Sequence, residues 1–387
     1  MLRRYGLITL FAGTVFAVLI AGLSGSGRVT ARVLEIVLPS AFGTALFIAL
    51  SAFLAILVHE LGHVVAGMLT GFRFQTMRVG PLELRRQSGA LQLVFVENPH
   101  LSGFARLVPG STDRLVARMF WLFAGGPLAS LLYVGFTYLL LQALPEPARG
   151  PELTGAIPHF AALSLFVMAL SVLPGTLLPF TSAAGTPTDM KVMLILLGRG
   201  ATRERLVALV LIGRELQSGV RARDWDPILV AAAVELRDGT AEELRAQTVA
   251  YFYEYDVGNL DGAMAHLDRG LNVAEALGKK AGVMLEVMRL ESSFFHAWVR
   301  NDLASALSFR VQVEAVPEAA QGTAALADAS IALRQGEGDR SLTLLEQAEA
   351  KMEEAVARHG GAIEFEHDRI NDLRNAVRNL SHDGEAG

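Results

Sequence analysis

The chain has 387 residues, of which 52% are hydrophobic and only 19% are charged, whereas soluble globular chains have about 25% charged residues. Residues 1–189 carry 12 Lys and Arg and 8 Asp and Glu, against 22 and 31 in residues 190–387, so the first half has the composition of a membrane protein and the second that of a soluble helical domain. The absence of cysteine excludes disulfides, thiolate zinc sites and cysteine nucleophiles, and a net charge of −5 without a basic stripe argues against a nucleic-acid partner.

Four apolar stretches are long enough to cross a bilayer, which takes about 20 residues. They are residues 5–27, 36–58, 119–145 and 159–178, the last being the core of a longer charge-free run with four prolines. The first stretch also resembles a signal peptide, because Arg3 and Arg4 precede it. It is long and ends without a clean cleavage site, so we expect it to be retained as a span.

The basic residues predict how these spans are oriented, because loops rich in Lys and Arg stay in the cytoplasm. The loop at 70–118 carries seven Arg, whereas the loop at 24–36 carries two and that at 146–157 carries one. Both termini are therefore expected inside the cell, in an inner or plasma membrane. The C-terminal half is then cytoplasmic.

The second predicted span ends at a motif that is typical of zinc sites, His59-Glu60-Leu61-Gly62-His63. Two histidines at i and i+4 lie on one helix face and can bind one zinc ion, and the glutamate between them is placed to take a proton from zinc-bound water. Ionisable groups at the end of a span are costly and tend to be functional. The alternative is that the three side chains merely form a polar cap at the cytoplasmic end of the span.

A small β-hairpin is predicted between the second and third spans. Apolar residues alternate on both sides of a tight turn at Ser88-Gly89, at Met77, Val79, Leu82 and Leu84 and again at Leu91, Leu93 and Phe95. Because an open strand edge cannot face lipid, we expect this hairpin at the membrane interface or packed on protein.

A catalytic zinc ion needs a third protein ligand, and Asp189 is the favoured candidate. It is the first formal charge after Glu152 and follows a segment broken by Pro and Gly. Irregular backbone at membrane depth must line a cavity or lie buried in protein, which allows Asp189 to return to the histidine pair. The alternative is a cap or interface charge before the next helix. Glu83, Glu97 and His100 are weaker candidates because they lie in a polar loop.

Three motifs in this order resemble the site-2 protease family of intramembrane zinc metalloproteases, over about residues 35–200. They are the zinc motif at 59–63, Gly125-Gly126-Pro127 in the third span, and Leu177-Leu178-Pro179 leading to Asp189. The resemblance implies that Zn²⁺ is bound by His59, His63 and Asp189. It also implies that Glu60 is the general base.

The same resemblance implies supporting roles for four further residues. Gly125 and Gly126 would let the third span approach the zinc-bearing helix closely, as small residues do between membrane helices. Pro127 belongs to the same motif, and Thr176 takes a supporting or substrate-binding position. The predicted hairpin would correspond to the family's membrane-associated strands, on which substrate pairs in extended form.

Two positions depart from the family pattern. Thr176 stands where the family commonly has Asn, and Met190 follows Asp189 where the family commonly has Gly. A reduced or specialised activity, or an inactive relative, is therefore an alternative to a fully active protease.

The second half is rich in Ala, Leu and Glu with helical periodicity. Similar turns recur at residues 258, 301 and 338, each between two helical segments, and resemble tetratricopeptide repeats, although their spacing exceeds the usual period of about 34 residues. Stacked helix pairs would offer a concave face to a cytoplasmic peptide or protein. A plain helical bundle is the alternative.

These features predict a helical, all-α chain with four parts. Residues 1–198 form a membrane helix bundle of about four spans with a small interfacial β-hairpin, 199–238 a helical connector, 239–380 a cytoplasmic α-helical repeat domain, and 381–387 a frayed tail. The favoured function is that of a zinc endopeptidase that cleaves a transmembrane protein substrate in or near its membrane segment, by Glu-assisted attack of zinc-bound water. The alternative is a non-catalytic membrane scaffold that recruits cytoplasmic partners through the repeats.

Overall fold

The computed structural model describes residues 41–87, 89–96, 103–144, 153–182 and 185–385. The prediction of a mostly helical chain is confirmed. The chain divides into two compact units, the first comprising Met1–Phe180 and Pro187–Leu197 and the second Thr181–Thr186 and Gly198–Gly387. The predicted first span at 5–27 lies outside the described residues, as do Glu97 and His100.

Within the described residues, three helices of the first unit are long and apolar enough to cross a membrane. They are α1 (Ala41–Leu69), α2 (Leu115–Ala143) and α3 (Leu153–Leu177), and a short helix, α4 (Asp189–Leu197), follows them. The prediction that the zinc motif ends its span was wrong, because α1 continues to Leu69. The predicted span ended before His59 because it was defined as a charge-free run. A helix can nevertheless continue through ionisable side chains that are buried against protein.

Helices α1 and α2 approach each other backbone to backbone at two glycines. A β-carbon added to Gly62 would overlap the carbonyl oxygen of Gly125 and lie 2.5 Å from Cβ of Ala129. A β-carbon on Gly125 would meet Gly62 and Ala66 in the same way. The small residues at this crossing therefore set the distance between the two helices.

The segment between α1 and α2 forms a four-stranded antiparallel sheet, so the predicted hairpin was too small. The strands are β1 (Phe72–Val79), β2 (Leu82–Gln87), β3 (Ala90–Phe95) and β4 (Gly103–Pro109), in the order β3-β2-β1-β4. The alternating run that suggested a single first strand is broken at Gly80, whose φ of 54° turns the chain between β1 and β2. The turn that contains Gly89 joins β2 to β3.

The sheet is fastened to both helices. Leu107 of β4 packs at Gly67 of α1, where an added β-carbon would lie 2.6 Å from Cδ2 of the leucine. Arg118 of α2 donates hydrogen bonds to the carbonyl oxygens of Thr70 (2.5 Å) and Gly71 (2.8 Å), at the turn between α1 and β1. Its guanidinium also lies 5.2 Å from the ring centroid of Phe72. Strands β1 and β4 therefore have a fixed position on α1.

The second unit consists of helices joined by short turns. They are α5 (Ala201–Gln217), α6 (Pro227–Val234), α7 (Ala241–Asp256), α8 (Leu260–Leu277), α9 (Met284–Trp298), α10 (Leu303–Val311), α11 (Gln321–Arg334), α12 (Gly338–His359) and α13 (Ile363–Glu385). The predicted turns at 258 and 301 separate α7 from α8 and α9 from α10, whereas residues 335–337 separate α11 from α12 and Gly338 is already the first residue of α12. Asn259 and Asp302 cap α8 and α10 by accepting backbone hydrogen bonds from Gly262 and Ser305. The tetratricopeptide character stays a prediction.

The last helix, α13, reaches Glu385 and so includes most of the segment that we expected to be frayed. Its Arg369 is buried and donates to Glu291 of α9 at 2.7 Å, and each of these side chains is 2% exposed. The hydroxyl of Tyr251 in α7 donates to the same carboxylate at 2.8 Å. The Arg369 guanidinium also lies 4.3 Å from the ring centroid of Phe294. One buried polar group thus joins three helices that are far apart in sequence.

Candidate metal centre

The three predicted ligands meet in the first unit. His59 and His63 lie one turn apart on α1, and their Nε2 atoms are 3.1 Å from each other. Asp189, the first residue of α4, places Oδ2 at 3.2 Å from Nε2 of His59 and Oδ1 at 3.3 Å from Nε2 of His63. Both histidine side chains are 9% exposed and the aspartate is 17% exposed. The expected convergence of a distant carboxylate on the histidine pair is therefore present.

The donor set fits a zinc ion. In a tetrahedral site with metal–ligand bonds of about 2.0–2.1 Å, the donor atoms lie about 3.3 Å from one another. The distance between the two Nε2 atoms agrees with that spacing, and so does the distance from each Nε2 to its nearest Asp189 oxygen, Oδ2 for His59 and Oδ1 for His63. Two imidazoles and one carboxylate are among the ligand sets of catalytic zinc, and three protein ligands leave a fourth position for water or substrate.

Hydrogen bonds behind the two imidazoles orient their donor atoms. Nδ1 of His63 lies 2.9 Å from the carbonyl oxygen of Leu122 in α2. Because a carbonyl oxygen only accepts, this Nδ1 carries the proton and Nε2 presents its lone pair to the site. Nδ1 of His59 lies 3.0 Å from the hydroxyl of Ser130, which can accept in the same way. Both rings are therefore held as metal ligands require.

Gly126 of α2 makes room for both rings. A β-carbon at this position would lie 2.6 Å from Cε1 of His63 and 2.7 Å from Cε1 of His59. Gly125, one residue earlier, sits at the crossing with α1. Pro127 is buried in the same turn and has no N–H to donate to the preceding turn of the helix.

The Pro/Gly segment before Asp189 is held by Thr188. Its hydroxyl donates to the carbonyl of Leu178 at 2.7 Å, and its N–H donates to the carbonyl of Phe180 at 3.0 Å. The carboxylate of Asp189 is thereby held at the start of α4, where it faces both imidazoles.

Two further predicted site residues, Glu60 of α1 and Thr176 of α3, are both buried. Glu60 is buried between the two histidines on α1, and its side chain packs against Gly103, the first residue of β4. Thr176 is buried near the end of α3, and its hydroxyl donates to the carbonyl of Leu173 in the same helix. Glu83, the competing ligand within the described residues, lies in β2 opposite Arg78 of β1.

A second group of potential metal donors within the described residues lies in the second unit. It consists of Glu349 and Glu353 of α12 and His367 of α13. Arg374 already pairs with Glu349 at 2.8 Å, and Glu353 is exposed. This group therefore has the character of a surface ion-pair network, not of a metal centre.

The sequence analysis missed Ser130 and Gly103. Ser130 lies four residues after Gly126, so the two residues share one face of α2. A hydroxyl in an apolar helix indicates that this face packs against protein. Gly103 begins a strand, and an isolated glycine in a strand often marks a close approach of another group. Neither signal identifies the partner without the three-dimensional structure.

Ser130→Ala is expected to weaken zinc binding by about 10- to 100-fold, because outer hydrogen-bond partners of histidine ligands have effects of that size. The substitution leaves Nδ1 of His59 buried without its partner. Zinc affinity is measured by competition with a chelator in detergent. Ser171→Ala is the matched control, since the Ser171 hydroxyl only donates to its own helix, at Val167. Equal zinc affinities for the two variants would contradict the assigned role of Ser130.

The sequence matches no protein-family model, and no match was found among the curated proteins or the solved structures. The likeness to site-2 proteases therefore stays a prediction that depends on the three motifs and on the geometry of the residues within them.

Proposed function

We propose that this chain is a zinc-dependent endopeptidase that hydrolyses a peptide bond in or near the transmembrane segment of another membrane protein. The observation that carries the proposal is the meeting of His59, His63 and Asp189 at zinc-ligand spacing, on and beside a helix long enough to cross a bilayer. These three residues would hold the ion, and Glu60 would act as the general base.

When bound, zinc lowers the pKa of a water molecule to about 7 and polarises the scissile carbonyl. Glu60 takes a proton from the attacking water and gives it to the leaving nitrogen as the C–N bond breaks. The oxygen of the attacking water would become part of the new carboxyl group, so one water would be consumed for each bond cut. The position of Glu60, buried in the same turn of α1 as the two histidines, supports this role.

The sheet offers a way to present an extended substrate. Within the described residues, β4 pairs with β1 on one side only, so its other edge has free N–H and C=O groups. The Gly103 end of β4 lies against Glu60, whereas the Leu107 region lies at Gly67, further along α1. A locally unwound substrate that adds to this edge would bring its backbone beside Glu60.

The proposal extends to the orientation of the chain in the membrane and to its cytoplasmic partners. The six Arg between α1 and α2, together with Arg118 in the first turn of α2, favour an inner or plasma membrane orientation with the second unit in the cytoplasm. The successive helix pairs of that unit favour binding of a cytoplasmic peptide or protein through tetratricopeptide-like repeats.

The proposal is tested by zinc content and cleavage in the same preparations. Wild-type protein purified without chelators is expected to hold about one zinc per chain and to cleave a co-expressed single-span protein. His63→Ala is expected to lose both, because two donors alone bind zinc weakly. Glu353→Gln is the control, as it alters the other donor group, in the second unit.

The outcomes separate the two candidate functions. Zinc that persists in His63→Ala contradicts the assigned centre. Stoichiometric zinc without cleavage of any single-span protein supports the non-catalytic scaffold and contradicts the endopeptidase.

A further inference from the structure

Gly103, the first residue of β4, lies directly against the side chain of Glu60. A β-carbon built on this glycine would overlap Oε1 of Glu60 and lie 2.7 Å from its Cγ. It would also lie 2.7 Å from Cγ2 of Ile56, one turn earlier on α1. Real β-carbons essentially never approach other atoms closer than 3.0 Å, so any other residue at this position displaces a neighbour.

The backbone at Gly103 does not itself require glycine. Gly80 and Gly89 in the same sheet have φ of 54° and 84°, which side chains rarely adopt, whereas Gly103 is not among the positive-φ residues. Glycine at position 103 is therefore needed for space and not for conformation.

Strand β4 has little freedom to move away from α1. It pairs with β1 from Val79 opposite Gly103 to Phe72 opposite Pro109, and both of these β1 residues are buried. Leu107 packs against Gly67 further along. The side chain of Glu60 is more mobile than a paired strand, so a larger residue at position 103 would displace the carboxylate first.

We propose that Gly103 is a positioning residue for Glu60, and that its missing side chain keeps the carboxylate beside the metal donors. The inference rests on the proposed function, in which Glu60 is the general base. With this assignment, each of the three α1 side chains in the proposed site, those of His59, Glu60 and His63, has a glycine opposite it. Gly126 of α2 gives room to the two imidazoles, and Gly103 of β4 gives room to the carboxylate.

Gly103→Ala is expected to lower kcat for cleavage of a single-span protein by at least about tenfold, while KM and zinc content change less than about twofold. We expect kcat to change more than KM and zinc content because the substitution displaces the carboxylate of Glu60 but not the three metal donors. Adding Ile56→Ala to the same chain removes one of the crowded atoms, so at least part of kcat should return. Gly135→Ala is the matched control, since a β-carbon there meets no atom within 4 Å.

An independent measurement uses the absence of cysteine from the chain. Ile56→Cys together with Gly103→Cys is expected to form an intrachain disulfide on mild oxidation, because the position of an added β-carbon at 103 is next to the side chain at 56. Intact mass after alkylation counts the remaining thiols. Ile56→Cys with Gly89→Cys is the control, as Gly89 has no neighbour within 4 Å.

The results distinguish a failure of this inference from a failure of the proposed function. Unchanged cleavage by Glu60→Gln would overturn the proposed function and this inference with it. Loss of cleavage in Glu60→Gln but normal kcat in Gly103→Ala would overturn only the positioning role. Two free thiols in the 56–103 pair, or loss of zinc in Gly103→Ala, would also overturn it.

Discussion

Replacing Glu60 by glutamine is expected to slow cleavage of a single-span protein by about 10²- to 10⁴-fold and to leave zinc bound at one ion per chain. The amide has nearly the same shape as the carboxylate but does not accept a proton from water. The ligands His59, His63 and Asp189 are untouched, which is why the metal should stay. Cleavage rates in proteoliposomes and zinc content by mass spectrometry check the two parts.

Glu83→Gln is the control for this experiment, because it removes another carboxylate from the first unit, in β2. It is expected to cleave at the wild-type rate. Unchanged cleavage by Glu60→Gln, or a loss in Glu83→Gln of the same size, would rule out Glu60 as the base.

The Glu60→Gln form also has a use beyond the test itself. A substrate that binds but is not cut stays in place, so crosslinking in the native membrane followed by mass spectrometry identifies it. If the substrate adds to the free edge of β4, crosslinks from residues in β4 should exceed those from residues in β2, which lies inside the sheet.

Replacing Arg369 by alanine is expected to destabilise the second unit by about 3–5 kcal/mol, because it leaves the buried carboxylate of Glu291 without its charged partner. The ion pair also orders the hydroxyl of Tyr251, which donates to Glu291. Urea unfolding is followed by tryptophan fluorescence in a Trp121→Phe background, so that Trp225 and Trp298 of the second unit report alone.

Two comparisons make this second prediction specific. Arg340→Ala removes an exposed arginine that pairs with Glu337, and it is expected to change stability little. The double variant Arg369→Met and Glu291→Leu is expected to be more stable than Arg369→Ala, because it removes both charges of the buried pair. A loss below about 1 kcal/mol in Arg369→Ala would contradict the importance of the buried pair.

The ligands of the candidate centre were predictable from the sequence because their signals are local. His59 and His63 follow from the geometry of one helical turn, and Asp189 follows from the rarity of charge in an apolar, Pro-broken segment. The end of α1 was wrongly predicted, because a hydropathy count does not distinguish an ionisable side chain buried against protein from an exposed one. The chain continues as helix through the motif to Leu69.

Features that depend on contacts between distant segments were not predictable. The pairing of β4 with β1 brings Gly103 to Glu60, and nothing in the sequence near residue 103 identifies Glu60 as its partner. Ser130 gains its role only because α2 crosses α1 at Gly62 and Gly125. In the second unit, the turns at Asn259 and Asp302 were recognisable, but the partner of Arg369 lies 78 residues away.

The segment Thr181–Thr186 belongs to the second unit, although Asp189 begins only three residues later in the first. Within the second unit, Gly185 lies beside Ala241 of α7, where an added β-carbon would be 3.5 Å from Cβ of the alanine, and near the carbonyl of Lys280. A protein shortened at Leu197 would keep every metal donor but lose Ala241 and Lys280, the residues beside Gly185. Metal affinity is therefore best measured on the intact polypeptide.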